Sequence, residues 1–331
     1  MLNHLGAAKK VNTLPDIGKI MIAFGPVPSR RLGRSLGINN MPDKICSYAC
    51  VYCQIGKTLH MDINRREYYA PLKIYEEVGK IIRDNVDYIT FVPDGEPTLD
   101  INLGKTARLL KDYGLKLAII TNSSLVYRED VLSDLMEFDY ISLKVDAVTT
   151  GIWKRINRPH KNLDLEKIKE GMLNLRKEFG GTLVTETMLI DGIDYNNEIA
   201  YISEFLRILR PDTAYIAIPT RPPAERWVKP PSEETLNYAY HVLSSVVKTE
   251  FLISYEGYDF DSTGNFKRDV LSITSVHPMR EDAVRDLMRK DNASEEDLKK
   301  LVESGELIRV HYRGHTYYMR ALPSRKYMGG L

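Results

Sequence analysis

Strand-like and helix-like segments alternate through most of this 331-residue chain. Runs of β-branched and aromatic residues, such as 87–93 and 116–121, alternate with segments whose apolar residues recur at helical spacing, such as 71–84. We count six such strand–helix units between about residues 34 and 250. Near-continuous apolar strands that alternate with amphipathic helices predict an α/β fold in which helices cover a parallel sheet. Periodicity alone fits both a doubly wound sheet and an incomplete barrel.

Polar, glycine-rich or proline-rich segments follow the predicted strands. Residues 46–53 follow the first strand and 94–97 the second, while 121–123, 142–146 and 219–223 lie at the ends of the third, fourth and sixth. Parallel α/β folds assemble their sites from loops at the carboxyl ends of the strands. The sequence therefore predicts one functional site at this edge of the sheet.

All three cysteines of the chain lie in the first of these loops. Cys46, Cys50 and Cys53 form the pattern C-x-x-x-C-x-x-C. Thiolates are the usual ligands of iron–sulfur clusters, and three of them leave one iron of a four-iron cluster without a protein ligand. Structural metal sites normally have four protein ligands, so the incomplete set predicts an exogenous ligand on the last iron. A zinc site that lacks a ligand, or three unrelated cysteines, is the alternative, and the odd count disfavours a disulfide.

This motif resembles the signature of the radical S-adenosylmethionine (SAM) superfamily. The resemblance implies a partial (β/α)6 TIM-like barrel that binds a [4Fe-4S] cluster on Cys46, Cys50 and Cys53. It also implies that SAM binds the open iron and is cleaved reductively to a 5′-deoxyadenosyl radical. Such cleavage needs a cluster at the low end of iron–sulfur potentials, so a flavodoxin or ferredoxin is implied as the electron donor.

The same resemblance assigns further residues to SAM. They are Tyr52 and Ile218 beside the adenine, Asp94, Gly95 and Glu96 at the ammonium group, Asn122 at the end of the third strand, and Ser142 and Lys144 at the ribose and the methionine carboxylate. Asp94 stands where the family has the first glycine of its GGE motif. That departure is tolerable if only the main-chain carbonyl of this residue is used.

Two basic segments have both a functional and a structural interpretation. Residues 24–35 contain two prolines, two glycines and the cations Arg30, Arg31 and Arg34, which predicts a loop. It either is a solvated loop or binds an anion, such as the SAM carboxylate or a phosphate of the substrate. The basic and aromatic residues 153–160 either bind a phosphate or nucleotide or form a solvated loop.

Two shorter segments lie farther along the chain. Arg221 and Glu225, after the sixth strand, are candidates for the mouth of the pocket. Residues 255–258 are expected to end a final strand and form a turn.

The pattern changes near the C-terminus. Residues 281–290 and a segment opened by Ser294 predict two helices, and a β-hairpin follows around Arg313 and Gly314. This order predicts a winged-helix-like domain over 270–322. The second helix is acidic and should repel phosphate, so any nucleic-acid contact is expected through the outward-facing Arg309, His311 and Arg313 of the hairpin. A structural or protein-docking role is the alternative.

Domain boundaries and location follow from the same data. We expect an N-terminal extension over 1–24 and a radical SAM domain over 25–260. The formal net charge of +1 gives no global attraction to nucleic acid. No apolar run approaches the ~20 residues that span a bilayer, and no signal peptide is evident, so a cytoplasmic protein without a membrane partner is expected.

Four segments indicate a subgroup and a substrate. PVPSRRLG, CSYACVYCQIG, DGEPTL and TRPPAE resemble segments of radical SAM proteins related to the wyosine tRNA-guanosine synthases. Those synthases carry extra cysteines for a second cluster, which this chain lacks, so their activity is not transferred. We expect tRNA or another nucleotide-bearing molecule as the substrate. The alternative is the modification or activation of a protein or peptide.

The first prediction concerns metal content. Anaerobic reconstitution of the purified protein should give about four irons per chain, because one four-iron cluster is expected. Cys50→Ala should lose this iron. Uptake of one tetrahedral zinc and no iron, measured by elemental analysis, would contradict the cluster assignment.

Overall fold

The structure, a computed structural model, describes residues 21–42, 44–253, 257, 260 and 262–325. Most of the expected N-terminal extension and most of the turn predicted at 255–258 lie outside these residues.

Thirteen strands are formed by the described residues. In chain order they are β1 (Ala23–Ser29), β2 (Gly33–Ile38), β3 (Ile45–Cys46), β4 (His60–Met61), β5 (Tyr88–Phe91), β6 (Lys116–Thr121), β7 (Tyr140–Lys144), β8 (Thr182–Met188), β9 (Thr213–Ala217), β10 (Thr249–Leu252), β11 (Met279–Arg280), β12 (Leu307–Tyr312) and β13 (His315–Arg320).

Ten α-helices accompany these strands within the described residues. They are α1 (Pro71–Ile81), α2 (Leu103–Leu110), α3 (Glu129–Leu135), α4 (Thr150–Ile156), α5 (Leu165–Glu178), α6 (Glu198–Leu209), α7 (Glu233–Ser244), α8 (Phe266–Val276), α9 (Glu281–Lys290) and α10 (Glu295–Glu303).

The main sheet has eight strands in the order β1-β2-β5-β6-β7-β8-β9-β10. Strand β1 is antiparallel to β2, and the other neighbouring pairs are parallel. This confirms the predicted α/β fold with a mostly parallel sheet. The order from β2 onward follows the chain without the reversal that defines a doubly wound sheet. It therefore favours the partial barrel, with β10 as a seventh parallel strand beyond the six predicted units.

The central strands are apolar because both of their faces are covered. Ile119 of β6, Ile141 and Leu143 of β7 and Leu183 of β8 have no exposed surface. Helices pack on this sheet through their apolar stripes, as Ile74 and Val78 of α1 do, and both side chains are fully buried. The continuous apolar core explains why the alternating pattern was readable in the sequence.

The prediction of a loop over residues 24–35 was wrong for most of its length. Residues 23–29 form strand β1, and residues 30–32 alone connect it to β2. Proline lacks a main-chain donor but is tolerated in an edge strand or at a bulge. Strand β1 is an edge strand, and its pairing with β2 shifts register between Phe24 and Val27. Pro26 and Pro28 therefore do not break it.

The C-terminal unit begins with α8, slightly before the predicted boundary at 270. It continues through β11, α9, α10 and the hairpin β12–β13, and its three strands form an antiparallel sheet in the order β11-β13-β12. Ser294 and Asp297 form the capping box that starts α10. Arg309, His311 and Arg313 are exposed, as predicted. The name winged helix stays a prediction for this unit.

The C-terminal unit packs on two loops of the main sheet. The hydroxyls of Tyr312 and Tyr317 donate to the carbonyls of Pro219 (2.9 Å) and Thr220 (2.8 Å) in the loop after β9. Gln54 follows Cys53 directly in the chain. Its Nε2 donates to the carbonyl of Val276 at the end of α8 (3.1 Å). The unit therefore contacts the cysteine loop directly.

Arg325 is a deeply buried connection between these parts. Its side chain is 1% exposed. Its guanidinium donates to the carbonyls of Ile55 (3.2 Å), Thr274 (2.6 Å) and Ser275 (2.8 Å). One cation thus holds the end of α8 and the segment after Cys53 together.

The second prediction tests this connection. Arg325→Met should lower the free energy of unfolding by about 3 kcal/mol, because several buried carbonyls lose a charged donor. Arg313→Met, on the exposed hairpin tip, serves as the control and should change it by less than about 0.5 kcal/mol. Urea unfolding measures both, and equal stability of the two variants would contradict the role given to Arg325.

Candidate functional site

The cysteine loop is held by main-chain hydrogen bonds from two sides. Ala49 N and Val51 N donate to the carbonyls of Asn157 and Ile156 at the end of α4, both at 3.0 Å. Glu225 N, in the loop after β9, donates to the carbonyl of Val51, also at 3.0 Å. The loop therefore lies at the carboxyl edge of the sheet, as the sequence predicted.

Each cysteine sulfur accepts a hydrogen bond from a polar side chain. The donor–acceptor pairs are Asn122 Nδ2 with Cys46 Sγ (3.5 Å), Asn157 Nδ2 with Cys50 Sγ (3.4 Å) and Lys44 Nζ with Cys53 Sγ (3.2 Å). Hydrogen bonds of this kind orient thiolate ligands and tune a bound metal centre. The donor set therefore fits a thiolate-bound cluster.

The thiols are buried and interact electrostatically. Burial raises the pKa of the Cys50 thiol to about 12, with further contributions from the Asp146 carboxylate and from Cys46 and Cys53. Metal binding replaces such thiol protons, since thiolates are the ligands. Within the described residues, no three His, Cys, Asp or Glu side chains lie close enough together to hold one metal ion. A cubane cluster does not need such a group, because each thiolate binds a different iron.

The loop after β5 lies directly against the cysteine loop. A Cβ atom on Gly95 would lie 1.7 Å from the carbonyl oxygen of Ile45, so no side chain fits there. The neighbouring Asp94 is 2% exposed, and burial raises the pKa of its carboxyl group to about 6. Its Oδ2 accepts from Asn39, and its Oδ1 has no hydrogen-bond partner among the described residues. A buried acceptor beside the cysteines fits a ligand with a positive group.

Glu96 holds the end of β6. Its Oε1 accepts hydrogen bonds from Thr98 N (3.1 Å), Thr98 Oγ1 (2.7 Å) and Thr121 Oγ1 (2.6 Å), and its Oε2 accepts from Asn122 N (2.7 Å). A carboxylate has about four acceptor positions, two on each oxygen, so Oε2 keeps one for a ligand. Glu96 therefore also positions Asn122, a role that the sequence did not indicate.

Strands β7 and β8 carry a charged network. Glu186 accepts from Arg31 Nη1 (2.6 Å) and from Lys144 Nζ (2.5 Å), and Arg31 also donates to Ser142 Oγ (3.1 Å). Burial alone would raise the pKa of Glu186, but the Lys144 and Arg31 cations outweigh it and lower the pKa to about 2. The sequence reasoning missed Glu186. Its signal was an acidic residue inside an otherwise apolar and threonine-rich strand.

A cavity of about 340 Å³ opens beside the cysteine loop. Tyr52, Cys53 and Ile218 line it, together with Lys144 and Glu186. The Tyr52 hydroxyl donates to Asp146, and the Lys144 ammonium lies 5.1 Å from the centre of the Tyr52 ring. The volume is within the ~300–1,000 Å³ of small-molecule sites.

The structure revises the two basic segments. Arg30 and Arg31 line the cavity, whereas Arg34 is not among its lining residues. The loop predicted from residue 153 is partly helical, since α4 extends to Ile156. Trp153 is 3% exposed, and its Nε1 donates to the Tyr48 hydroxyl (3.1 Å). This ring is therefore core and does not face a ligand.

Comparison with known proteins agrees with this site. A family model described as the radical SAM superfamily matches residues 42–205. The chain thus contains a radical SAM superfamily domain. A UPF0026 protein of Methanocaldococcus jannaschii is 48% identical over 312 residues, which are 92% of this chain and 97% of that protein. The chain belongs to the UPF0026 family.

Two further matches cover a smaller share of both chains than the first relative does. A GTPase Obg of Brachyspira hyodysenteriae is 32% identical over 296 residues, which are 86% of this chain but 43% of that protein. This chain therefore spans less than half of that relative. The crystal structure of a radical SAM methyltransferase from Sphaerobacter thermophilus has a TM-score of 0.51 at 15% identity, covering 66% of this chain and 67% of that one. That likeness shows a shared fold.

These findings confirm the predicted cofactors, a [4Fe-4S] cluster and SAM. Members of the superfamily are enzymes. The link to wyosine tRNA-guanosine synthases stays a prediction. None of the helices in the described part of the chain is both long and apolar enough to cross a bilayer.

The third prediction concerns Glu96. Glu96→Gln should weaken SAM binding tenfold to about 100-fold, because a charged hydrogen bond is worth ~1.5–3 kcal/mol. Thr98→Val is the matched control, since it removes one donor to Glu96 and keeps the carboxylate, and it should retain most of the affinity. Equilibrium dialysis on reconstituted protein of equal iron content measures both. Unchanged SAM affinity in Glu96→Gln would show that this carboxylate does not contact the ammonium group.

Proposed function

We propose that this protein is a radical SAM enzyme that acts on a phosphate-bearing substrate, either tRNA or a smaller nucleotide-bearing molecule. Cys46, Cys50 and Cys53 bind three irons of the cluster, and the fourth iron is left for SAM. When bound, these cofactors supply a 5′-deoxyadenosyl radical that abstracts a hydrogen atom. The chain's own residues bind, orient and shield the reactants.

The SAM contacts follow from the positions of the predicted residues. Tyr52 and Ile218 line the cavity and offer apolar surface to the adenine. Ser142 and Lys144 lie on one face of β7, where alternate residues of a strand point the same way. They are proposed for the ribose and the methionine carboxylate. In this arrangement Glu186 holds the Lys144 ammonium in place.

The ammonium group of SAM has acceptors in the loop after β5. The Asp94 carbonyl and the remaining position on Glu96 are proposed for it, with Gly95 giving the close approach. Asn122, which donates to Cys46, connects this loop to the cluster. A flavodoxin or ferredoxin is proposed as the electron donor, because superfamily members need a low-potential reductant.

The charge of the cavity carries the substrate proposal. Among the residues that the structure describes, the charged side chains that line it are those of Arg30, Arg31, Lys144 and Arg221 and the carboxylate of Glu186. Guanidinium groups are the preferred partners of phosphate, because two of their N–H groups match two of its oxygens. The three guanidinium groups in this lining favour an anionic, phosphate-bearing substrate.

The size of the cavity limits how a large substrate enters. A volume of about 340 Å³ is at the lower end of the ~300–1,000 Å³ of small-molecule sites, so a large substrate can insert no more than its reacting part. Enzymes that modify a base within a nucleic acid flip it out of the base stack and into the active-site pocket. Val276 and His277 also line the cavity, so the C-terminal unit forms part of its wall. The exposed Arg309, His311 and Arg313 are proposed to contact the RNA backbone.

A peptide or protein substrate is the second candidate. The first turn of α10 carries Glu295, Glu296 and Asp297, which would repel phosphate. The net charge of +1 gives no general attraction to RNA either. In this case the C-terminal unit docks a protein.

The fourth prediction separates an enzyme from a metal-binding module and tests the substrate. Reconstituted protein given SAM and dithionite should release 5′-deoxyadenosine and methionine.

Binding of bulk tRNA should weaken steeply as salt rises, because phosphate contacts release counterions. The double variant Arg309→Glu and Arg313→Glu should lower the slope of log K against log salt by about two.

The matched control reverses two exposed lysines of the main domain. Lys105→Glu with Lys177→Glu makes the same change in net charge away from the hairpin, and it should leave the slope unchanged. Equal slopes for both double variants would exclude contact through the hairpin. No tRNA binding at low salt would overturn the nucleic-acid proposal and favour a protein substrate. The absence of 5′-deoxyadenosine would contradict the proposal that the protein is a radical SAM enzyme.

A further inference from the structure

The donors to the three cysteine sulfurs differ in charge. Asn122 and Asn157 offer neutral amide hydrogens to Cys46 and Cys50. Lys44 offers an ammonium group to Cys53, and its contact of 3.2 Å is the shortest of the three. One cluster ligand is therefore distinguished from the other two by a cationic partner.

Lys44 is buried in an unusual way for a lysine. It is 6% exposed, and no ion pair with a carboxylate is found for it among the residues that the structure describes. Burial of an ammonium group is costly unless an anion and hydrogen bonds compensate it. The partner that the structure offers is the sulfur of Cys53, which is an anionic thiolate when it binds a metal, and this points to a role at the cluster.

The position of Lys44 is fixed by its main chain. Its carbonyl accepts hydrogen bonds from Leu59 N (3.1 Å) and His60 N (3.2 Å), so the chain after the cysteine loop returns to it. Arg325, another buried cation of this region, donates to main-chain carbonyls instead of a sulfur. The ammonium of Lys44 is thus the cationic hydrogen-bond donor to a cysteine in the described structure.

We propose that Lys44 is a positioning residue that raises the reduction potential of the cluster by holding a positive charge against the Cys53 thiolate. The proposal rests on the proposed function, in which Cys53 binds one iron. Reduction adds one electron from the external donor, and no bond to Lys44 forms or breaks. The added negative charge spreads over the cluster and its thiolates, so a fixed cation nearby favours the reduced form.

The size of the effect follows from general behaviour of these centres. Net charge, hydrogen bonds to the sulfurs and solvent exposure set iron–sulfur potentials. An ammonium in contact with a ligand sulfur changes both the net charge at the cluster and the hydrogen bonding of that sulfur. Low dielectric strengthens the interaction, since the site is buried. Lys44 therefore brings a low-potential cluster closer to the range of its electron donor.

The test is a reductive titration followed by electron paramagnetic resonance, without SAM, on reconstituted protein. Lys44→Met keeps the length of the side chain and removes its charge. It should lower the equilibrium constant of reduction at least tenfold, which is about 59 mV for a one-electron couple. Lys44→Arg keeps the charge and should stay within about threefold of the wild type. Asn122→Ala, which removes a neutral donor, should shift the constant less than Lys44→Met.

Iron content separates this proposal from the proposed function. Wild-type protein without iron overturns the cluster assignment. Wild-type and Lys44→Met proteins with equal iron and equal potentials overturn the role of Lys44, as does a shift no larger than that of Asn122→Ala. Where Lys44→Met takes up no iron, Lys44→Gln and Lys44→Arg are compared. Iron uptake by Lys44→Arg alone supports charge compensation, and failure of Lys44→Arg as well overturns it.

Discussion

The site depends on close contact between the cysteine loop and the carboxyl edge of the sheet. Glu96 N donates to the carbonyl of Ile45 (3.2 Å), and Gly95 leaves no room for a side chain between the two loops. The Glu96 carboxylate of the same loop accepts a hydrogen bond from Asn122 N, and the Asn122 side chain donates to Cys46. A small displacement here would separate the cluster ligands from the residues proposed for SAM. The surrounding fold serves to hold these short segments together.

Compensation of buried charge is the second constraint. Glu186 is held ionised between Arg31 and Lys144, and Lys44 donates to the Cys53 sulfur. Buried charges are tolerated only when each has a partner, and removing one partner leaves the other at high cost. This explains why the charged groups of the site occur in contact with one another. The substrate proposal depends on the guanidinium groups of Arg30, Arg31 and Arg221, which line the cavity.

The sequence was informative where local patterns are physical requirements. Apolar strands, amphipathic helices and the spacing of Cys46, Cys50 and Cys53 can be recognised without tertiary contacts, as can the capping box at Ser294. The strand β1 was missed because its prolines indicate a loop, and the tolerance of an edge strand for proline depends on pairing. Lys44, Asn157 and Glu186 were missed because their partners are distant in sequence or chemically ordinary. Such roles become visible only when the fold brings the side chains together.

The most direct test of the central claim is whether SAM changes the environment of the cluster. Reconstituted, dithionite-reduced protein is frozen with and without SAM, and its electron paramagnetic resonance spectrum is recorded. If three thiolates hold the cluster and leave one iron open, SAM should shift the spectrum in wild-type protein by binding that iron. An iron-replete wild-type protein whose spectrum is identical with and without SAM would contradict the account.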